Sequence, residues 1–472
     1  MHWIAPTTLR HKRIDPYYYM PEHLETERLI QQASKRITLD SLGSFAHLWS
    51  GPFGSKLPSS LYRESGPYPL YRSQNVKPFW IQREGLVFLE VNAYEELKAC
   101  EATIGDILVS KAGFVGTACI IGKDEGPSII TEHVLGIRPL DETDPYYLLA
   151  ALNSSICKRQ LEREGLGTLL DYLGVEVSRE LMVPKPNISI QKSIGNKIHA
   201  AELMRAESEL SRSILHEWLN SLLPECEPPT EQMSVSPIFT SDLDSERLDA
   251  WFNHPRFQQL EQALNECSNL VHLETVATVV GDRGGRTPGE IEYIEIGEFD
   301  LSQGTVRGTL IEGKSAPSRA QILANRGDVA VSLVRPNRQN IAFIQGTGTR
   351  PIIVTSGCTV LRFDNQETAA LYSVILRHNA ITYQIMRWNT GTNYPAIEQL
   401  RLDRILVPVI PESERQRLLT AAKMAVTGQE RAKTLTEAAI KDVEDLIDGT
   451  LDEATCLEEG RELADEFGLE RP

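Results

Sequence analysis

Loop segments rich in Arg, Lys, Asn and Gln are the part of this sequence that could carry recognition chemistry. The densest is Arg335-Pro-Asn-Arg-Gln-Asn340, which follows the short apolar run Asp328–Ser332. These side chains can pair with base edges in the DNA major groove, and Lys and Arg can also bind phosphate. The segment therefore predicts a nucleic-acid contact, although a solvated hairpin tip is an equally good interpretation when it is taken alone.

Candidate DNA contacts of this kind occur in both halves of the chain. The first half contributes Ser55, Lys56, Arg72, Gln74, Asn75, Lys111 and Thr168. The second half contributes Arg283, Arg286, Arg335, Asn337, Arg338, Asn340, Thr392 and Asn393. The loops around Thr168 and Thr392 consist of small polar residues that suit close approach of a backbone, and ordinary turn chemistry explains them equally well.

Sequence signatures of catalysis are weak. The segment Gly308–Ser315 has the spacing of a phosphate-binding loop, but its interior is bulky and acidic and Pro317 follows, whereas such a loop needs small residues and must open a helix. Asp144-Pro-Tyr-Tyr faintly resembles the D-P-P-Y element of amino-methyltransferases, yet Asp144 followed by Pro145 is better explained as a helix start. No nucleophile triad, paired cysteines or metal-binding motif appears, so no catalytic residue and no metal ligand are predicted.

The candidate loops lie in a sequence that repeats. Framework residues of the first half recur in the second: Gly167-Thr168 as Gly391-Thr392, Pro184 as Pro408, Thr131 as Thr355, Gly105-Asp106 as Gly327-Asp328, and Arg13-Ile-Asp15 as Arg247-Leu-Asp249. A period of more than 200 residues indicates a duplicated domain rather than a solenoid of short repeats. The interval is constant in the later part of each copy and drifts in the earlier part, where most candidate loops lie.

Each copy has the same order of expected elements. A helical entry is followed by short β-type runs, a helix, the Gly-Thr loop and a strand that ends in proline, which is typical of a mixed α+β module. A long helical segment then follows, Ile190 to Leu223 in the first copy and Glu412 to Leu451 in the second. In the first helix the apolar stripe is assigned to these positions: Leu203, Leu210, Ile214, Trp218 and Leu222.

A helix of 34 residues spans about 50 Å, and one with a single apolar stripe needs a partner. The two long helices of this chain are expected to form an antiparallel, coiled-coil-like pair; the alternative is that each packs on its own module. The predicted order is a module at 1–187, a spacer helix at 188–223, an acidic and Pro-rich linker at 224–244, a second module at 245–410, a second spacer helix at 411–449, and an acidic tail at 450–472 that is either a short helix or disordered.

Net charge neither supports nor excludes DNA binding. The chain carries −17, but residues 442–472 hold twelve acids and two arginines, and residues 224–246 hold six acids and no Lys or Arg. The modules themselves are therefore close to neutral, and a local basic face would have to provide the affinity. Seven scattered cysteines, no long apolar run and no apolar N-terminal signal segment indicate a cytoplasmic protein with reduced thiols.

The order of motifs resembles a target recognition domain from the DNA-specificity (S) subunits of Type I restriction–modification systems. In the first copy it comprises Phe53-Gly-Ser55, Tyr71–Val76, Gly105–Gly113, Leu152-Asn-Ser154, Gly167-Thr168 and Val183–Pro186 before the long helix. The order occurs twice and covers nearly all of residues 13–450. The second copy departs from the pattern where Arg335-Pro-Asn337 replaces the usual Gly-containing turn, and the acidic tail is an addition.

This resemblance implies two recognition domains held apart by two antiparallel helices and a bipartite site in double-stranded DNA. It implies partner methyltransferase subunits, typically two, that carry S-adenosylmethionine, and in full systems a translocating restriction subunit. No cofactor and no catalysis are implied for this chain, and its expected location is a bacterial or archaeal cytoplasm, associated with the nucleoid and not with a membrane. The main alternative is a structural adaptor in a phage-defence methyltransferase complex that reads no sequence; an enzyme with an unrecognised site is a third.

Overall fold

The chain forms two compact units, Met1–Met204 together with Arg431–Pro472, and Arg205–Glu430. The computed structural model describes residues 16–123, 125–165, 173–226, 247–285, 287–346, 349–390, 395–398 and 400–472. The units divide within the two long helices, whereas the predicted boundaries treat each helix as a segment of its own. Most of the predicted linker, residues 227–244, lies outside the described residues.

In its described residues the first unit has twelve short strands and five α-helices before the first long helix. The helices are α1 (Pro21–Ala33), α2 (Val91–Leu97), α3 (Pro145–Asn153), α4 (Ser155–Gly165), α5 (Val175–Arg179) and the long α6 (Ile188–Leu222), which begins in this unit. The strands are β1 (Leu39–Ser41), β2 (Ala46–Ser50), β3 (Tyr68–Tyr71), β4 (Val76–Lys77), β5 (Trp80–Ile81), β6 (Val87–Leu89), β7 (Glu101–Ala102), β8 (Ile107–Ser110), β9 (Ala118–Ile120), β10 (Ser128–Ile130), β11 (Val134–Pro139) and β12 (Met182–Pro184). They form sheets β2-β11-β8-β9 and β6-β3-β10-β7, with the pairs β1-β12 and β4-β5 beside them.

The second unit repeats this plan. Its helices are α7 (Pro255–Glu266), α8 (Gln366–Ile375), α9 (Asn379–Arg387) and the start of the long α10 (Arg415–Asp448); α11 (Glu453–Phe467) belongs to the first unit. Its strands are β13 (Leu270–His272), β14 (Thr278–Val279), β15 (Glu290–Ile294), β16 (Phe299–Asp300), β17 (Thr305–Arg307), β18 (Thr309–Glu312), β19 (Ala320–Ala324), β20 (Val329–Ser332), β21 (Ile341–Gln345), β22 (Ile352–Thr355), β23 (Cys358–Arg362) and β24 (Leu406–Pro408). The sheets are β14-β23-β20-β21-β17-β16 and β18-β15-β22-β19, with β13-β24 beside them.

The repeated sequence motifs have a structural cause in a repeated ion pair. Asp106 at the start of β8 accepts two hydrogen bonds from Arg138 on β11, and Asp328 at the start of β20 accepts two from Arg362 on β23. Both carboxylates are almost fully buried, and a buried charge requires such a partner. The Gly-Asp motif therefore fixes the same strand pair, β8 with β11 and β20 with β23, in each copy.

A second repeated contact joins a helix to the Pro-ending strand. The Gln160 side chain on α4 donates to the carbonyl of Met182 (2.9 Å) and accepts from its amide (3.0 Å). Gln384 on α9 does the same with Leu406, at 3.0 and 2.7 Å. Because these paired bonds satisfy a strand edge in both units, the duplication extends from the sequence into the detailed geometry.

The two long helices run antiparallel. In the first unit Lys197 Nζ on α6 lies 2.6 Å from Asp442 on α10, and in the second Ser208 Oγ donates to the carbonyl of Ala425 at 3.3 Å. The residue number thus rises along one helix while it falls along the other. The predicted fold class, two similar mixed modules with two long antiparallel helices, is confirmed.

The buried stripe of α6 differs from the one assigned from sequence. Leu210 is 62% exposed, while Ser208, Leu215 and Leu219 are fully buried. Ser208 permits the helix to approach the small residue Ala425, and this close approach turns Leu210 outward. Apolar residues spaced by three and four positions do not show which of two neighbouring helix faces is buried when the buried face contains small residues such as serine.

The acidic C-terminal segment is a helix that packs within the first unit. On α11, Cys456, Gly460 and Leu463 are buried, and the Asn196 side chain of α6 donates to the Gly460 carbonyl at 3.2 Å. The buried Lys197 contacts Glu459 in addition to Asp442. Of the two alternatives for this tail, the helix is therefore observed. Among the described residues, no helix combines the length and the apolar character needed to cross a membrane.

A buried helix cap in the first unit gives a stability prediction. Asp144 caps α3 by accepting from the amide of Tyr147 at 2.7 Å, and burial raises the pKa of this carboxyl from 3.8 to about 6. Gly195, the one glycine of α6, lets that helix approach, because a Cβ there would overlap Asp144 Oδ1. In the second unit Asn365 caps α8 in the same way, accepting from Thr368 at 2.8 Å.

Replacement of Asp144 by Asn should stabilise the first unit by roughly 3 kcal/mol above pH ~7, since a shift of one pKa unit corresponds to about 1.4 kcal/mol and Asn keeps the cap. A raised folded-state pKa means that the carboxyl's stabilising contribution is complete below the unfolded pKa of 3.8 and is lost as the pH rises through about 6. Denaturant unfolding at pH ~7.5 and ~4 measures both limits. The matched control is Asn365→Asp, which changes an exposed cap and should have little effect; equal gains for Asp144→Asn at both pH values would contradict the prediction.

Candidate nucleic-acid interface

Four loops of the first unit meet around one cleft of about 580 Å³. They follow β2, β3, β8 and β10, and they are residues 52–57, 72–77, 112–114 and 131–133. Strands β3 and β10 are parallel neighbours, and β2 and β8 both run antiparallel to β11, so within each sheet the loops leave from the same edge. Three of these loops were predicted from the sequence as candidate contacts, and the fold brings them together.

The first loop places polar and aromatic side chains at the surface. Phe53 to Lys56 form a turn in which the Lys56 amide donates to the Phe53 carbonyl at 2.8 Å, and Ser55 and Lys56 are exposed. Glu132 accepts from the Gly54 amide at 3.0 Å and so ties this loop to the loop after β10. Two large aromatic side chains stand in solvent here, Phe53 at 75% and Phe114 at 84% exposure.

Of the predicted contact residues in the loop at 72–77, two line the cleft and one is buried. Gln74 is exposed and lines the cleft, and Arg72 also lines it while donating to the carbonyl of Gly85. Asn75 is buried: its side chain accepts from the Arg72 amide (3.1 Å) and donates to the Gln82 carbonyl (2.9 Å). Asn75 thus shapes the turn and does not present its amide to a ligand.

Lys111 is also not at the surface. It is fully buried, and its ammonium donates to Ser50 Oγ at 2.9 Å. The sequence predicts a loop at Ser110 and Lys111, but Lys111 continues a strand whose four residues are all buried. Burial of a lysine needs polar partners supplied by distant segments, which the local sequence does not reveal.

Several cleft residues were missed by sequence reasoning. Ser73 Oγ donates to the carbonyl of His133 at 2.6 Å, and Lys77, Glu132 and His133 complete the polar lining. Thr131 was recognised only as a marker of the repeat, and it too lines the cleft. Two features of the sequence could have indicated that Thr131 belongs to the site: it recurs as Thr355 in the second copy, and the polar residues Glu132 and His133 follow it directly.

The corresponding loop of the second unit is longer and more cationic. The Ser110 amide donates to Thr117 across the loop between β8 and β9, and the Ser332 amide donates to Asn340 between β20 and β21. The loop between β20 and β21 therefore has one more residue between its hydrogen-bonded ends than the loop between β8 and β9. In this loop Asn337 and Arg338 are exposed, whereas Asn340 is buried at the strand start and is not presented to a ligand.

Backbone conformation distinguishes the two loops further. The first uses Gly113 (φ +79°) and Gly116 (φ +84°) in the left-handed region, and the second uses Arg335 (φ +51°) and Gln339 (φ +52°). A side chain in that region costs about 1 kcal/mol or more relative to glycine. Because the surroundings impose the same conformation in both copies, the long polar side chains at 335 and 339 have fixed starting directions.

The remaining candidates are scattered or fall outside the described structure. Arg283 is exposed, next to β19, with Nη1 3.3 Å from Gln321 Oε1. Arg286, Thr168, Thr392 and Asn393 lie outside the described residues. No group of His, Cys, Asp and Glu in the described parts of the chain is arranged to hold a metal ion.

Comparison of the sequence with protein-family models and with curated proteins gave no match. Among solved structures, the chain is similar to the S subunit of a Type I restriction–modification system from M. genitalium, with 15% identity, a TM-score of 0.42, and coverage of 90% of this chain and 95% of that chain. It is also similar to the HsdS subunit from Thermoanaerobacter tengcongensis, with 14% identity, a TM-score of 0.30, and coverage of 88% and 97%. At these identities and TM-scores, what this chain binds has to be inferred from its own residues.

Proposed function

We propose that this chain is the DNA-specificity subunit of a Type I restriction–modification system, which reads a bipartite site in duplex DNA and directs adenine methyltransferase subunits to it. The observation that carries the proposal is a duplicated framework with different loops. The ion pairs Asp106–Arg138 and Asp328–Arg362 are equivalent, while the adjoining loops differ in length, charge and backbone residues. Such a pair of modules suits two different half-sites.

The side chains exposed on these loops have the chemistry that base recognition needs. Gln74 and Asn337 can donate to and accept from adenine, and Arg338 can bind guanine with two parallel hydrogen bonds. Lys56 and Lys77 can bind phosphate at the edge of the first cleft. The exposed Phe114 offers an apolar contact of the kind made with a thymine methyl group.

In this proposal the chain performs no chemistry of its own. Two modification subunits carry S-adenosylmethionine, extrude the target adenine and methylate it, and a restriction subunit joins in complete systems. The antiparallel helices α6 and α10 set the distance between the half-sites. Because the modules are nearly neutral, the partner subunits supply much of the phosphate contact.

A second candidate function, a structural adaptor without sequence readout, is favoured by the acidity of the chain. Its net charge is −17, and α11 carries an acidic exposed face that includes Glu458, Glu462 and Glu466. Such a face would repel DNA phosphate wherever the two came close.

Selection from a random duplex library separates the two functions. The full chain is assembled with the methyltransferase encoded beside it, and bound DNA is recovered and sequenced. The specificity subunit should enrich two short defined sequences at a fixed separation, since specific sites bind roughly 10³-fold or more tighter than random DNA. Binding without enrichment would favour the adaptor, and the methyltransferase alone is the control.

A further inference from the structure

Two arginines of the second unit lie together in a partly buried site that the candidate loops do not include. Arg212 is on α6, and Arg377 precedes α9. Arg212 Nη2 donates to the carbonyl of Ala425 (2.7 Å) and to Gln303, and Arg377 Nη2 donates to the carbonyl of Leu301. Both guanidinium groups therefore bind the two sides of the turn between β16 and β17.

That turn is built to accommodate Arg377. Gly304 has φ +68°, and a Cβ at this position would overlap Arg377 Nη1. Arg377 Nε is buried and has no hydrogen-bond partner in the described structure. A donor in that state is unusual, since buried polar atoms are almost always paired.

The partners of the two guanidinium groups are all neutral. Arg163, which is buried, and Arg387, which is partly buried, each contact a glutamate. The described residues give Arg212 and Arg377 only amide, hydroxyl and carbonyl oxygens. Two acids lie nearby, Glu209 beside Arg212 and Asp300 beside both arginines, and the Asp300 Oδ1 accepts from Ser302 and from the Gln303 amide within the turn. The site thus holds two cations whose charge is not matched by a carboxylate hydrogen bond.

Electrostatics agree with this geometry. Burial lowers the pKa of Arg212, and the charge of Arg377 lowers it further, while Glu209 and Asp300 oppose this shift. Burial likewise lowers the pKa of Arg377, against the opposing charge of Asp300. His216, one turn beyond Arg212 on α6, has its pKa lowered by burial and by the same two arginines. An anion placed among these groups would relieve the repulsion.

The duplication supplies an internal control for the role of these charges. Arg377 stands two residues before α9, and the equivalent residue of the first unit, two before α4, is Asn153. Buried positions Ile190 and Ile194 of α6 recur 228 residues later as Leu418 and Ala422 of α10. By that interval Arg212 corresponds to Ile440 and His216 to Glu444.

The first unit therefore builds the same junction from a neutral amide, an aliphatic side chain and a carboxylate. Glu444 accepts there from the amide of Ser155 at 3.2 Å, at the start of α4. The helix junction itself therefore does not require the two cations. Their hydrogen bonds to the 301–304 turn leave both charges without a carboxylate partner, and recognition of an anion accounts for these charges.

The site is continuous with the longest candidate loop. Gln339 of that loop donates to Asn379 Oδ1 at 2.8 Å, and Asn379 is the first residue of α9, two after Arg377. His378 between them caps α9 and contacts Asn220 of α6 at 3.1 Å. The N-terminus of α9 thus lies between the tip of the 335–340 loop and the arginine pair. The dipole of this helix also favours negative charge at its N-terminus.

We propose that Arg212, Arg377 and His216 form a phosphate site of the second unit, which binds phosphodiester oxygens of the DNA strand next to the bases contacted by the 335–340 loop. This inference rests on the proposed function. The shared chemistry is phosphate, and duplex DNA is the source to which the proposal commits. The contact fixes the position of the DNA and carries no sequence information.

The test measures DNA affinity of the full chain for a random-sequence duplex of about 30 base pairs as a function of salt concentration. Removal of one phosphate contact should lower the slope of log K against log salt by about 0.9. The variants are Arg377→Gln, Arg212→Gln and the double substitution, with melting temperature as the check on folding. The expected result is a slope reduced by roughly one to two in the double variant.

Arg319→Gln is the matched control, because Arg319 is an exposed arginine of the same unit that pairs with Glu295 at 2.9 Å. It removes the same charge without touching the site, so its slope should stay close to that of the wild type. A folded double variant that binds DNA with the wild-type slope would overturn the phosphate site and leave the proposed function intact.

Inorganic phosphate serves as a second probe, with the ring protons of isotope-labelled His216 followed by NMR at constant ionic strength. Saturable shifts in the wild type that disappear in Arg377→Gln support an anion site. If such shifts occur while the wild-type chain, alone and with its methyltransferase, binds no DNA, the proposed function and the assignment to DNA both fail, and a free-phosphate site remains. If neither phosphate nor DNA binds, the site and the function are both wrong.

Discussion

Asn337→Ala combined with Arg338→Gln should alter one half of the DNA site and leave the other half unchanged. Both residues are exposed at the tip of the loop between β20 and β21, and this loop belongs wholly to the second unit. A good contact of either type discriminates against a wrong base by about 1–3 kcal/mol. The pair together should therefore cost roughly 10²- to 10³-fold in affinity at the cognate site.

The measurement is selection from a random duplex library, followed by methylome sequencing of cells that express the variant. Gln74→Ala is the reciprocal control, because Gln74 is an exposed residue of the first-unit cleft and should affect the other half-site. Relaxed preference in both half-sites would contradict modular reading. A uniform loss on every sequence would instead assign Asn337 and Arg338 to the phosphate backbone.

The framework of this fold was open to prediction because its signals are local and repeated. Gly105-Asp106 and Gly327-Asp328 mark a turn followed by a buried strand, and the carboxylate of each motif pairs with an arginine at the same place in both copies. Repetition also made the long helices evident. Their antiparallel contact could be predicted because a single apolar stripe needs a partner.

The parts that sequence reasoning missed depend on contacts between distant segments. Lys111 and Asn75 look like loop residues, yet Ser50 and Gln82 hold them inside the unit. Leu210 looks like a core residue, and close packing at Ser208 turns it outward. In each case the residue type predicts the wrong burial of the side chain, because the partner that determines whether it is buried lies elsewhere in the chain.

The phosphate site illustrates the same limit from the other direction. Arg212 and Arg377 are 165 residues apart and neither lies in an Arg-rich segment. The turn at 301–304 contacts both of them, Arg212 through Gln303 and Arg377 through Leu301. Comparison of the two copies after folding then distinguishes the charges that the fold requires, such as Arg138 and Arg362, from those that only one copy has.

Insertion of four residues into both long helices should move the two half-sites apart while preserving their sequences. The insertions follow Met204 in α6 and Glu430 in α10, where the chain passes from one unit to the other. Four helical residues add about 6 Å, close to the rise of two base pairs. Affinity for the original site should fall by roughly 10³-fold or more, to the level of random DNA, and a site with a longer spacer should replace it.

Matched insertions are needed because the two helices contact each other within each unit. An insertion in α6 alone would shift Ser208 by one turn relative to Ala425, and it should lower the melting temperature without defining a new site. A four-residue insertion between Gly449 and Asp452 lengthens the chain outside the helix pair and should leave the spacer unchanged. If the paired insertion yields a folded protein that still selects the original spacing, then α6 and α10 do not measure the distance between half-sites, and two recognition events must be coupled in some other way.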